Sequence, residues 1–172
     1  SGTIKVNEAG CNLYVTPVFT QTKQSGVCSS GNNLNDLIIS EVYDSVANNS
    51  WYMELYNPTG TAINLDAAGA DYKLVRYGDI GTTTGLRSVD ISGIIPPGGV
   101  YLADIGSDSA CGALAFEYTN KGNGINENDE IRLTKNDVTV DIVHCPNEKG
   151  YTIRRNALAT GPSATYNGAD WT

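Results

Sequence analysis

Glu130-Ile131-Arg132-Leu133-Thr134-Lys135-Asn136-Asp137-Val138-Thr139-Val140-Asp141-Ile142-Val143 decides the fold class. Ile131 and Leu133 share one face before the central Lys-Asn-Asp, and Val138, Val140 and Ile142 share one face after it. A period of two is the strand period, because successive side chains leave opposite faces of a sheet. Asn and Asp tolerate the positive φ that a tight hairpin turn demands. The stretch reads as a β-hairpin with one buried face.

The same grammar extends outward. Upstream, Leu37–Tyr43 is short and β-branched, Trp51–Asn57 alternates and stops at Pro58, and Ala62–Leu65 is a shorter strand. Tyr72, Leu74 and Arg76 fall on one face of a further strand, with Lys73, Val75 and Tyr77 on the other. Strands at Arg87–Ser92, Val100–Ala103 and Ala113–Tyr118 follow, the turn Pro96-Pro97-Gly98-Gly99 preceding the second of these, and Tyr151–Arg155 comes last. No apolar spacing supports a long helix. About seven to nine short strands imply an all-β, antiparallel β-sandwich or barrel, and no internal repeat suggests a propeller or solenoid.

Residues 1–36 differ: a strand candidate at 11–19 lies in a Gly-, Ser- and Asn-rich stretch, read as an N-terminal extension that forms a two-stranded flap before a domain at 37–172. A length of 172 residues suits one such domain, and 40% hydrophobic residues suffice for a packed core. The net charge of −8 sets 11 scattered Lys and Arg against 19 acids, which disfavours direct binding of nucleic acid or an anionic membrane. No apolar run approaches the ~20 residues of a membrane span. Without a signal peptide, and beginning Ser1-Gly2, the chain reads as a mature fragment of something longer.

Four dispersed cysteines, Cys11, Cys28, Cys111 and Cys145, lack the paired spacing of a zinc site. They imply two disulfides and an oxidising location: extracellular, at the cell surface or periplasmic. The expected pairing is Cys11–Cys28 and Cys111–Cys145; the alternative is four buried thiols in a cytosolic protein.

Four segments resemble the lamin tail domain, an immunoglobulin-like sandwich: Leu37–Val42; Met53–Thr59 with Ile63–Leu65; Ile95–Leu102; and Asn128–Leu133 followed by Val140–Val143 and Tyr151–Arg155. Gly168-Ala169-Asp170-Trp171 resembles the family's end, and the likeness covers residues 37–172. Tyr72–Tyr77 is similar to the copies that stand at the front of bacterial secreted nucleases, before an oligonucleotide-binding fold and a metal-dependent endonuclease/exonuclease/phosphatase domain. The extension before residue 37, with Cys111 and Cys145, departs from the family pattern. The resemblance implies an immunoglobulin-like antiparallel sandwich and a non-catalytic accessory, anchoring or interaction module, with a nuclease fragment that supports a neighbouring catalytic domain as an alternative. Its partners would be other domains of the parent protein or a surface protein or glycan.

The residues give catalysis little to work with. The single histidine, His144, adjoins Cys145 at a strand end, where neighbours point to opposite faces, so a nucleophile–base pair is not expected. Glu41 and Glu54 lie inside strands and stand at recurrent positions of the resembled family. They read as structural carboxylates bound to backbone amides or to Arg76, Arg154 or Arg155, with metal ligation as the other reading. No cofactor is expected apart from calcium. Two oxygen-rich loops could hold it, one with Asp44, Asn48 and Asn49 and one with Asn123, Asn126, Glu127, Asn128 and Asp129; turn chemistry alone is the competing account. Tyr14, Tyr43, Trp51, Tyr52, Tyr56, Tyr72 and Tyr77 would form either cross-strand pairs or a glycan-binding surface, the latter making the chain a carbohydrate-binding module.

Overall fold

The structure is a computed structural model that describes residues 4–8, 11–15, 34–46, 51–83, 87–106, 118–119, 124–156, 159 and 161–172. Its strands in chain order are β1 (Ile4–Glu8), β2 (Cys11–Val15), β3 (Ile38–Asp44), β4 (Trp51–Tyr56), β5 (Ile63–Asn64), β6 (Asp66–Ala67), β7 (Ala70–Tyr77), β8 (Arg87–Asp90), β9 (Ile94–Ile95), β10 (Val100–Asp104), β11 (Tyr118–Thr119), β12 (Glu130–Lys135), β13 (Val138–His144) and β14 (Thr152–Arg154). One short 3-10 turn, Gly168–Asp170, follows.

Two sheets build the domain. The first runs β11-β10-β4-β3-β14; the second runs β13-β12-β7-β6, with β8 also on β7. The chain crosses between them from β3 and β4 to β6, β7 and β8, back to β10 and β11, over to β12 and β13, and back to β14, while β5 and β9 pair with each other. Pairing is antiparallel except between β10 and β11, which is parallel. The inward faces of both sheets merge in one apolar cluster that includes Ile39, Val42, Met53 and Leu55 from the first sheet and Leu74, Ile131, Leu133 and Val143 from the second. The chain is thus an all-β antiparallel sandwich. The fourteen segments among the described residues exceed the strand number expected from the sequence because four are two-residue ladders and two, β1 and β2, form a separate ribbon.

The hairpin that decided the fold has Lys135 opposite Val138, with Asn136 at φ 51° and Asp137 at φ 63°. Positive φ at both central residues is the type I′ turn that suits strand twist. The Asn136 side chain also donates to Gly69 O at 2.7 Å and accepts from Asp71 N at 3.0 Å, docking the turn on the next hairpin. Beyond the turn the expected alternation fails. A bulge sits at Leu133/Thr134, and Val143 rather than Ile142 joins the core, while Val138 is exposed. An inserted residue reverses which side chains face inward. In the turn before β10, Gly98 takes φ 68° and Gly99 N–H donates to Pro96 O at 2.9 Å, a geometry that glycine adopts without a Cβ penalty.

Both sheet edges near the chain's end are blunted. Trp171–Thr172 pairs along β14, with Arg154 N–H donating to Thr172 O (2.8 Å) and Thr172 N–H to Arg154 O (2.9 Å). On β13 the bulge and the inward-pointing Asp141 serve the same end, since a bent edge with a buried charge is a poor template for another strand. Before the sandwich, β1 and β2 form their own antiparallel ribbon. Asp36, at the end of the extension, binds the Tyr72 hydroxyl and lies 3.1 Å from Lys135 Nζ, fastening that segment to the second sheet.

Candidate functional site

Where β13 and β14 approach, the chain from 161 to 172 returns across the gap and leaves a groove of about 380 Å³ lined by Ile80, His144, Pro146, Ile153, Tyr166 and Trp171, with Cys145 also on its wall. The aromatic rings are fixed from behind. Tyr166 stacks on His144 at 3.9 Å between centroids, and the Arg155 guanidinium lies 4.4 Å from the Trp171 ring centre. His144 Nε2 is 3.2 Å from Glu130 Oε2; Glu130 Oε1 accepts from Arg132 Nε at 2.7 Å, and Arg132 covers Tyr77. A groove with aromatic walls and a few polar groups has the usual form of a small-molecule site.

His144 and Cys145 both reach this groove. Cys145 is 2% exposed, and burial pushes its thiol up to about 12, so it carries no thiolate at neutral pH. Cys145 stands as a free thiol. Cys28 and Cys111, its expected partner, lie outside the described residues; Cys11 is in β2 opposite Glu8. The expected Cys11–Cys28 pairing lies outside the described residues, and the expected Cys111–Cys145 pairing meets a Cys145 that is a free thiol.

Glu41 and Glu54 are directly opposite one another on β3 and β4, on the face turned away from the core, and both are buried. Arg154 Nε donates to Glu41 Oε2 at 2.7 Å, and the Tyr52 hydroxyl donates to Oε1 at 3.4 Å. Glu54 accepts from the Ser40 hydroxyl at 2.7 Å. Burial raises both carboxyls, Glu54 to about 7, and beside Glu54 the charge of Glu41 adds to the effect.

The expected calcium ligands are only partly gathered. Asp44 ends β3 and accepts from Gly150 N at 2.9 Å; Asn48, Asn49 and Asn123 lie outside the described residues. Asp129 Oδ2 accepts from Asn126 N at 2.5 Å and faces Arg76 Nη1 at 3.5 Å, so a guanidinium occupies one side of that carboxylate. Asn128, at φ 64°, sits in the turn, its Nδ2 3.4 Å from Asp79 Oδ1. Among the described residues no three His, Cys, Asp or Glu gather to hold a metal.

Of the aromatics singled out in the sequence, Tyr43 and Tyr52 stack across strands at 4.6 Å and 11°, and Tyr56 and Tyr72 are also buried. Tyr72 lines a second cleft, whereas the rings of the first groove, Tyr166 and Trp171, belong to the tail, whose sequence carries no strand pattern to mark it. The second cleft, of about 410 Å³ at Asn35, Asp36, Thr59, Asn64, Tyr72 and Lys135, has its charges already paired with each other. The chain matches no family model, no curated protein and no solved structure.

Proposed function

We propose that the chain is a non-catalytic accessory or interaction module of a secreted or surface-attached bacterial protein, a lamin-tail-like domain with immunoglobulin-like topology whose parent is an extracellular nuclease. The observation that carries the non-catalytic reading is the state of the one histidine–cysteine neighbourhood. His144 is held between Glu130 and Tyr166, and the Cys145 thiol is buried and protonated. A histidine beside a carboxylate serves nucleophilic catalysis only with an accessible nucleophile next to it, and the neighbouring candidate, Cys145, is buried. The two facing antiparallel sheets support the sandwich part of this reading, and the ordered recurrence of its four sequence segments supports the family. In this reading the module positions, anchors or stabilises its neighbour. The test is to incubate the purified chain with plasmid and divalent metal beside a chelator-treated control. No cleavage and no DNA retardation at physiological salt are expected, and metal-dependent degradation would overturn the reading.

A second reading, carbohydrate binding, is favoured by the groove at Tyr166, Trp171 and His144, because sugar rings pack on aromatic faces while polar rims bond their hydroxyls. Glycan-array binding that Trp171→Ala abolishes, with the fold retained, would select it over docking to a protein neighbour.

A further inference from the structure

The outer face of the first sheet carries a charge imbalance. The titratable and charged groups on that face are Glu41 and Tyr43 on β3, Tyr52 and Tyr56 on β4, Asp104 on β10 and Arg154 on β14, with Glu54 at their centre, directly opposite Glu41 and Leu102. Glu41 and Glu54 are 3% and 4% exposed, so water does not screen them from each other. Arg154 is this face's single cation among the described residues, and its Nε is committed to Glu41. Among the described residues Glu54 accepts a side-chain hydrogen bond from the Ser40 hydroxyl alone, a neutral donor supplied by the irregularity between Ile39 and Glu41, and Arg154 acts on it only at longer range. Two buried carboxylates served by one guanidinium cannot both ionise without an uncompensated buried charge.

We propose that Glu54 is a proton-operated latch on the adjoining strands β3 and β4: protonated, it packs opposite Glu41 and Ser40; ionised, it sets two buried carboxylates against each other and loosens the β3–β4 pair. The device is reversible, since only a proton is exchanged with solvent. Its working range is near neutrality, where burial places the Glu54 carboxyl. The partner strand on the other side of β4 is β10, and that of β3 is β14, so loosening this pair acts on the middle of the sheet rather than on an edge.

Two measurements on the full chain test this. Carbon-13 titration of the glutamate side chains should give a Glu54 midpoint near neutrality, with Glu41 responding at the same pH. A Glu54 midpoint at the ordinary carboxylate value of about 4.3 would overturn the proposal. Amide hydrogen exchange of β3 and β4, corrected for the intrinsic pH dependence, should accelerate several-fold above that midpoint in the native protein and not in Glu54→Gln. Unchanged pH dependence in E54Q would also overturn it. Should E54Q fail to fold, the titration of the native chain decides alone.

Discussion

Arg155 Nη2 lies 2.5 Å from Asp141 Oδ2, and the two side chains, 1% and 0% exposed, join the two sheets at the sandwich's open side. Asp141 points inward from β13 and also accepts from Ile39 N on β3 at 2.8 Å and from Ser163 N at 3.0 Å. Arg155 donates through Nε to Ile39 O at 2.9 Å and through Nη1 to Gly161 O at 3.3 Å, with Trp171 over its plane. One ion pair thereby fastens the first sheet, the second sheet and the returning tail. The planar fork of arginine makes this geometry possible; lysine could supply one point charge only.

Arg155→Met should therefore leave Asp141 buried and unpaired and cost about 3–5 kcal/mol, read from denaturant unfolding. Asp141→Asn should cost a similar amount, because it leaves the Arg155 guanidinium buried without its carboxylate and turns an amide NH2 toward a donor, either Ser163 N or Ile39 N and Arg155. A loss below about 1 kcal/mol for Arg155→Met would show that the clasp is not formed.

The turn at Asn136-Asp137 gives a sharper contrast. Both residues have positive φ, but Asn136 alone has side-chain bonds to Gly69 and Asp71, while Asp137 meets Lys73 at an exposed site. Asn136→Ala should cost about 2 kcal/mol, from αL strain plus two lost hydrogen bonds. Asp137→Gly should be neutral or slightly stabilising. Equal losses would place the strain, not the bonds, in control.

These cases show what was legible. The hairpin, its turn chemistry and the inward Tyr72 and Leu74 follow from local alternation, which the chain states residue by residue. Asp141 and Arg155 do not, because a charge in a strand reads as solvent-facing until the bulge at Leu133/Thr134 turns it inward. A bulge has no composition of its own here. Glu41's partner is among the three arginines that the sequence offers, and the register of β14 on β3 selects Arg154. The groove was illegible for a related reason: Tyr166 and Trp171 sit in an irregular tail whose path depends on the Asp141 and Arg155 contacts.

Gly124 explains a glycine that turn grammar leaves open. A Cβ there would stand 2.3 Å from the Trp51 ring, and Gly124 O accepts from Arg76, so the backbone cannot retreat without breaking that bond. Gly124→Ala should destabilise by about 1–3 kcal/mol, the range of overpacking. Trp51→Leu in the same chain should recover part of the loss if the clash is the cause, as a double-mutant cycle would record.

Cys145 should resist alkylation in the native chain at neutral pH and react after unfolding without a reductant, because the thiol is buried and protonated. Peptide mapping of the unreduced, denatured chain reads this directly. Recovery of Cys145 in a disulfide-linked peptide with Cys111 would overturn the free-thiol state and restore the pairing that the spacing suggests.

Stability against pH should run opposite to the common pattern. Burial is the largest influence on Asp129 and pushes it up from 3.8 to about 6, with the Asn126 amide and Arg76 opposing and Asp79 and Glu127 adding to the rise. Glu54 rises from 4.5 to about 7. Both groups hold a proton more tightly in the folded chain than in the unfolded one. Their contribution is then fully present below the unfolded values and is lost as pH rises through the folded ones, since the folded state binds more protons across that window. At 1.36 kcal/mol per unit, each is worth on the order of 3 kcal/mol. The urea midpoint should fall between about pH 4 and pH 7.5, where a protein held by ionised, salt-bridged carboxylates gains stability. Glu54→Gln should flatten the upper part of that fall and leave the part near pH 6, which belongs to Asp129. A midpoint that climbs across the window would mean that both carboxylates are ionised in the folded chain.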